Sequence, residues 1–520
     1  MGDSRYDDLL FLRMSSYLGK LQWLGPYDEL TLAKGAAYPL FILISRMTFL
    51  PLKLTEQAFY LASALSFVLA ANKIWKSRGG AVVCFAILAL NPTAWAAPVG
   101  GRIVREGLYS SLVLLLLALS IRIFAVQASP AVRGDLVAKR RDLIALGVAA
   151  AAFWLTREEG VWLIPALAIP ICYWVVNNRK SMRDPVIFGH LALPVLCFAA
   201  IVFAVNATNW AVYGVFRNND FRSADFQGAY GALSRITHDH WERFVVFPKD
   251  ARMRAYKVSP AAAELREFFE GDGSMAWRRT SCEQTERADC PEILSGWFMW
   301  ALREAAAKAG HYRSAPESQA FYVRLAREVN EGCDKGLIPC SSKRETLAPP
   351  WRSGYLGDTL DAAKRVFGTL ISLRGAEPVV LASIGDPRNI AMFQKITHGP
   401  IATETVSEPR GIRQHLAFPI ARFEQRILPI VTLLSVAAWI ALLMSRRKLT
   451  WHPGNIVVLM LVATVGARVA LLAVLEATSI PSNNMLYLSP VVPILLAFAP
   501  CVFVWACTEF PRSPRDLRAR

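Results

Sequence analysis

Apolar positions in this 520-residue chain gather into about nine continuous runs rather than into one-sided stripes, the pattern of helices surrounded by hydrocarbon. The runs extend from about Glu56 to Trp75, Gly79 to Ala97, Leu108 to Gln127, Leu143 to Leu155, Val161 to Val176 and Val186 to Val205. Three more follow, from Ile427 to Met444, Ile456 to Val474 and Met485 to Cys507. A hydrocarbon core of about 30 Å takes roughly 20 residues of helix, so the fourth and fifth runs are short. Between the sixth and seventh, about Asn206 to Arg426 is polar and holds no run of membrane length.

The chain therefore reads as four parts. Residues 1–55 form a first loop with an acidic motif and juxtamembrane helices, and 56–205 carry six spans. Residues 206–426 are a stretch large enough to fold as its own domain, and 427–520 hold three spans and a basic tail. Within the polar stretch, Ala261 to Glu270 and Ser318 to Glu328 have helical spacing, and Gly271-Asp272-Gly273 signals a turn. A mixed α/β unit and a helical one both fit. The expected fold class is a polytopic α-helical membrane protein with a large extracytoplasmic mixed domain.

Charge gives the orientation. Hydrophobic residues make up 54% of the chain, the net charge is +17 and the mean hydropathy is +0.30. In a soluble protein such a charge would suggest nucleic acid. No basic patch interleaved with aromatics is present, however, and nucleic acid is not an expected partner. The strong basic clusters fall at alternate turns: Lys73-Lys76-Arg78, Arg133-Lys139-Arg140-Arg141, Arg179-Lys180-Arg183, Arg446-Arg447-Lys448 and Arg512-Arg515-Arg518-Arg520. By the positive-inside rule these turns face the cytoplasm. The opposite turns carry Arg105-Glu106, Arg157-Glu158-Glu159 and Glu476, and they share the outer face with the long polar stretch and with Asp7-Asp8. The expected location is a cytoplasmic (inner) membrane, multi-pass, with the large loop outside. An outside N-terminus needs a preceding signal or span. The expectation is a natural start further upstream, with a short tail translocated unaided as the alternative.

Nine cysteines divide by position. Cys84, Cys172, Cys197, Cys501 and Cys507 lie in spans and read as core residues. Cys282, Cys290, Cys333 and Cys340 lie in the outer stretch, and an even set in an oxidising compartment reads as two disulfides. The local pairs Cys282–Cys290 and Cys333–Cys340 are the first choice among three connectivities. Their spacings are not those of a zinc knuckle.

Two features carry the candidate chemistry. A carboxylate pair, Asp7-Asp8, at the mouth of a membrane bundle is costly to keep near lipid, and Arg468 lies inside an apolar span, where a charge needs a partner. The segments Y-D-D-L-L-F-L-R (Tyr6 to Arg13), W-L-G-P-Y (Trp23 to Tyr27) and L-A-K-G-A-A-Y-P-L-F (Leu32 to Phe41) resemble the first external loop of GT-C superfamily integral membrane glycosyltransferases. R-E-G-L-Y (Arg105 to Tyr109), T-R-E-E-G (Thr156 to Gly160) and R-V-A-L-L…Y-L-S-P-V-V-P (Arg468 to Pro493) continue the resemblance over most of the membrane part, but not over the outer stretch. It is similar to bacterial dolichyl-phosphate-mannose mannosyltransferase-like enzymes that depend on a polyprenyl-phosphate sugar. Such enzymes have a helix before the acidic loop, and this chain as given lacks one.

The resemblance implies sugar transfer from a polyprenyl-phosphate carrier to an acceptor hydroxyl outside the membrane, with inversion. It makes Asp7 the base, with Asp8 orienting the acceptor or tuning Asp7. Lys34, Arg105, Arg157 and Arg468 become candidates for the donor phosphate, supported by Glu106, Glu158 and Glu159. Plain alternatives stand beside these roles: a solvated acidic pair, a snorkelling Lys34, interfacial pairing within the two Arg-Glu runs, and an ion pair of Arg468 with Glu476 or Glu106. The donor would be the polyprenyl-phosphate-linked sugar, with membrane lipid as a partner and an unnamed glycan, lipid or protein as acceptor. No metal ligand set is assigned, and metal dependence stays open. His238-Asp239-His240 could be a metal site or a solvated turn. No Gly-rich phosphate loop of nucleotide-binding type is present. A lipid-linked saccharide flippase and a non-catalytic glycan-assembly protein are the competing functions.

Overall fold

The computed structural model describes residues 2, 5–125, 132–286, 288–289, 291–406, 412–445 and 451–509. It is built from helices. Among the described residues there is no β-strand, only three isolated bridges, Ile236 with Cys340, Val245 with Leu294 and Val380 with Val406. The mixed α/β alternative for the polar stretch is thereby corrected. Its segments carry helix formers and Ser or Pro starts, as at Ser314, whose hydroxyl accepts the Glu317 N–H before the helix Ala315–Asp334.

Among the described residues seven helices are long and apolar enough to cross a membrane: Leu52–Trp75, Glu106–Ala125, Gly160–Asn177, Pro185–Tyr213, His415–Met444, Pro453–Thr478 and Met485–Thr508. Two of the nine expected spans are shorter helices. The Gly79 to Ala97 run holds the helix Arg78–Ala89, because Asn91 caps a new 3-10 turn at Pro92 and breaks the helix there. The Leu143 to Leu155 run is the 17-residue helix Arg140–Thr156. Gln127, the expected end of the third run, lies outside the described residues.

Helix limits follow from local chemistry. Pro185–Tyr213 starts with Asp184 accepting the Val186 N–H at 2.8 Å and Pro185 in the first turn. It stops at Gly214, whose φ of +80° is the left-handed conformation that suits glycine. Only 6% of its apolar window is buried, against 89% for Glu106–Ala125. The first is an outer helix exposed to the hydrocarbon, and the second is the centre of the bundle. Arg140–Thr156 packs against Pro185–Tyr213 at Gly147, where a Cβ would lie 2.4 Å from the Pro194 carbonyl oxygen.

Two large hydrophobic cores result among the described residues, with two small clusters beside them. One lies in the membrane helices and includes Phe67, Tyr109, Leu117, Leu461 and Ile494. The other joins the start of the chain (Leu10, Met14, Leu24, Leu32) to the helices between Ala224 and Asp334 (Phe226, Phe298, Tyr322, Leu325). This second unit is a helical cap. The rest of the polar stretch behaves differently. Val366, Leu370, Leu373, Phe393 and Ile396 belong to the membrane core, and the helix Tyr355–Ile371 lies along Pro453–Thr478. The stretch from Asn206 to Arg426 thus contains a cap and a returning segment folded onto the bundle.

Candidate active site

The helix Asp8–Leu18 begins beneath the cap, and its first residues place two neighbouring carboxylates in different surroundings. The Asp8 side chain is fully buried. It accepts from Arg102 Nη2 at 2.6 Å and Nε at 3.0 Å, from the Ile103 N–H at 2.8 Å and from the Gly2 N–H at 3.2 Å. Four donors saturate it, so it anchors the turn and loop at 101–104. Asp7 keeps one third of its side chain accessible. It accepts from Lys34 Nζ at 3.1 Å and lies 3.7 Å from Arg102. Burial acts to raise the Asp7 pKa, but Lys34, Arg102 and Arg105 outweigh it and hold the carboxyl at about 2. Burial likewise pulls the Lys34 ammonium below its usual range against the opposing pull of Asp7.

Lys34 is positioned from two sides. Gly35 passes so close to the helix Arg140–Thr156 that a Cβ would sit 1.8 Å from the Leu155 carbonyl oxygen. From the cap, Arg303 donates to the Glu29 and Thr31 carbonyls at 2.7 and 2.8 Å. The Asp220 N–H donates to the Leu32 carbonyl at 2.8 Å, and Asn219 donates to that of Ala33 at 3.2 Å. Nearly every carbonyl leading to Lys34 is therefore held by the outer unit. The Arg303 charge is balanced by Asp220 at 2.8 Å.

Beside this pair lies a layer of buried charges. Arg105 donates to Glu158 at 2.9 Å and to the Thr156 carbonyl at 3.2 Å. Arg157 pairs with both Glu106 and Glu159, and its guanidinium lies 5.7 Å from the Tyr109 and Tyr487 ring centres. Burial tends to raise the Glu159 pKa, and the nearby Arg157, Arg468 and Arg105 bring it down to about 2. These groups meet in one cavity of about 460 Å³. Asp7, Lys34, Arg105, Arg157, Glu158 and Glu159 form its charged floor, and Leu471, Leu472, Val474 and Leu475 an apolar side. Phe221, Tyr230, Trp297 and Trp300 of the cap supply an aromatic wall.

Arg468 stands one layer behind. It is fully buried, outside the cavity lining. It donates to the Tyr487 carbonyl at 3.0 and 2.8 Å, and its Nη1 lies 3.9 Å from Glu159. The alternative of an ion pair with Glu476 or Glu106 is not met, and the nearest carboxylate is that of Glu159. Glu476 instead accepts the Ser482 and Asn483 N–H groups, and Glu106 is taken by Arg157. Arg102 was missed by sequence reasoning, though its place three residues before Arg105 in a G-G-R-I-V-R run was a signal. It also lines a separate, mostly apolar cavity of about 370 Å³ against residues 378–402.

Elsewhere, Cys333 and Cys340 form a disulfide. Cys282 is disulfide-bonded, and its expected partner Cys290 lies outside the described residues. At the His238-Asp239-His240 run, the His238 ring meets the Val246 carbonyl at 3.2 Å and Asp239 pairs with Arg254. Among the described residues no group of three or more His, Cys, Asp or Glu side chains is placed to hold a metal ion.

No family model and no curated protein matches the chain. Solved structures to which it is similar include ArnT from Cupriavidus metallidurans in the apo state and the same protein bound to undecaprenyl phosphate. Each is 14% identical, over 91% of this chain and 73% of that one, with a TM-score of 0.29. At that TM-score the likeness decides neither fold nor activity.

Proposed function

We propose that this protein is a membrane glycosyltransferase of the GT-C class. It would move a sugar from a polyprenyl-phosphate carrier to an acceptor hydroxyl at the outer face of the cytoplasmic membrane. The observation that carries the reading is the single cavity in which an ionised carboxylate, a pair of cations and an apolar side lie together. The acceptor oxygen attacks the anomeric carbon while its proton passes to Asp7. The bond from that carbon to the phosphate oxygen breaks, and its electron pair leaves with the phosphate. Lys34 and Arg105 stabilise the charge that develops there. The polyprenyl chain runs along Leu471, Leu472 and Leu475. One displacement on one face inverts the anomeric centre.

A carboxylate held at about 2 is a weak base. The same cations that depress Asp7 are those the phosphate needs. A phosphate bound at Lys34 and Arg105 shares their charge, and the Asp7 pKa rises toward its ordinary range as the donor arrives. Asp8 and Arg468 act in this reading as supports, Asp8 through Arg102 and Arg468 through Glu159 and Tyr487.

The test is transfer of labelled sugar from a panel of polyprenyl-phosphate sugars to membrane acceptors. Asp7→Asn is expected to lose at least about a hundredfold in rate while remaining folded. Equal transfer by both proteins would remove Asp7 as the base. No transfer by the wild type with any donor would favour a flippase or an assembly protein.

A further inference from the structure

The cap side of the cavity contains an aromatic face that the transfer chemistry leaves without a role. Trp300 is already occupied. Lys34 Nζ lies 5.2 Å from its ring centre, and Tyr6 and Phe221 pack on it at 5.2 and 4.9 Å. Trp297 is different. It lines the same cavity and stays partly accessible. Its indole N–H donates to Gln284 Oε1 at 2.7 Å, and its ring meets Trp277 at 5.9 Å. The turn before it is tied to the loop after the helix Pro453–Thr478. Ser295 donates to the Ser479 carbonyl, and a Cβ on Gly296 would lie 2.1 Å from Ile480 Cγ2. A rigid indole thus lines the same cavity as the charged floor and the apolar side, with its polar edge already satisfied. The neighbouring Gln284 amide spends its Nε2 on a contact of only 3.5 Å with the Pro481 carbonyl, which leaves donor capacity beside the ring.

We infer that Trp297 and Gln284 form a saccharide subsite. The apolar C–H face of one sugar ring lies against the indole, and a ring hydroxyl takes the Gln284 amide. A rigid amphipathic aromatic beside one placed polar group suits a molecule with one apolar face and a hydroxylated rim. A lipid tail would use the ring but not the amide. The inference deepens the glycosyltransferase reading and rests on it. The ring belongs either to the transferred sugar or to a sugar of the acceptor.

The experiment uses the full chain in lipid nanodiscs, as wild type, Trp297→Phe and Trp297→Leu. Leucine keeps apolar bulk without an aromatic face, and phenylalanine keeps the face. The probes are polyprenyl phosphate alone and a panel of its hexose- and pentose-linked forms, followed by KM for a saccharide acceptor. Wild type is expected to prefer the best sugar-linked form over the bare lipid phosphate. Trp297→Leu should lose about tenfold of that preference if the ring is the donor's, or raise the acceptor KM about tenfold if it is the acceptor's. Trp297→Phe should stay within about threefold in either arm. Equal weakening of bare and sugar-linked lipid by Trp297→Leu would mean a tail contact and overturn the subsite. No change in either arm would overturn it as well. A wild type that binds no lipid form would sink the glycosyltransferase reading itself. Trp351→Ala, at an exposed tryptophan outside this cavity, is expected to match wild type throughout.

Discussion

On the membrane side of the cavity, Lys34, Arg105, Arg157, Glu158 and Glu159 hold one another and Asp7 through ion pairs. On the cap side, Phe221, Tyr230, Trp297 and Trp300 are held by ring contacts and a few hydrogen bonds. The charged side is a network in which each member neutralises another in a poorly solvated place. Removing one strands its partner. The aromatic side is a set of nearly independent surfaces, from which a single substitution subtracts area and little else. A network of that kind holds its charges ready at small reorganisation, whereas a set of surfaces can be varied piece by piece to fit a substrate.

The comparison breaks first at the buried cation that pairs with two carboxylates. Arg157→Leu leaves Glu106 without its cation and Glu159 with Arg468 at 3.9 Å, and is expected to cost about 3–5 kcal/mol, read as a fall in thermal stability together with lost transfer. A double variant with Glu106→Gln should recover part of that stability. Full additivity of the two changes would refute the network. Next, Asp8→Asn removes the nearer of the two counter-charges of Arg102 and is expected to cost about 1–3 kcal/mol. Its melting temperature should fall below that of Asp7→Asn, and the reverse order would mean that the roles of the two carboxylates are exchanged.

The cap offers the contrasting case. Replacing Cys333 and Cys340 by serine removes a bridge over a short loop and should cost about 2 kcal/mol, with the transfer rate unchanged. Loss of transfer would show that the cap's stability is coupled to the charged side.

The smallest expected effect is a shift along the pH axis. Asp7 has its folded pKa depressed from 3.8 to about 2. Its contribution to stability is complete above 3.8 and is lost as pH falls through about 2. Lys34→Ala removes the strongest of the groups that depress it, so the Asp7 pKa should rise. The acid limb of transfer, which needs the ionised form, should move to higher pH. An unmoved limb in a variant that still transfers would separate Lys34 from Asp7.

Much of the membrane part was legible in the sequence because hydrocarbon imposes a simple demand. A helix that satisfies its own backbone bonds and shows apolar side chains must appear as a long apolar run. The run from Val186 to Val205 lies within one such helix, which continues past its expected end to Tyr213. The charges at 105–106 and 157–159 were conspicuous for the same reason, being costly in such surroundings. The capping of a new turn by Asn91 was less visible, since it decides between one long helix and two short pieces by a local hydrogen bond.

The sequence by itself determined that the chain is helical and rich in membrane-length runs, and it marked a small set of charges that needed partners. Only the tertiary structure decided which partners these were. Asp8 is saturated by Arg102 and the Ile103 N–H, from about 95 residues away, and its neighbour Asp7 is left facing the cavity. Arg468 is drawn to Tyr487 and Glu159 rather than to Glu476. Trp297 carried no signal in the sequence, and the fold brings it to the cavity beside the close approach of Gly296 to Ile480. The reason is the same in each case. Burial and charge compensation are settled between residues far apart in the chain, and no local pattern encodes which of several available partners will be within 3 Å.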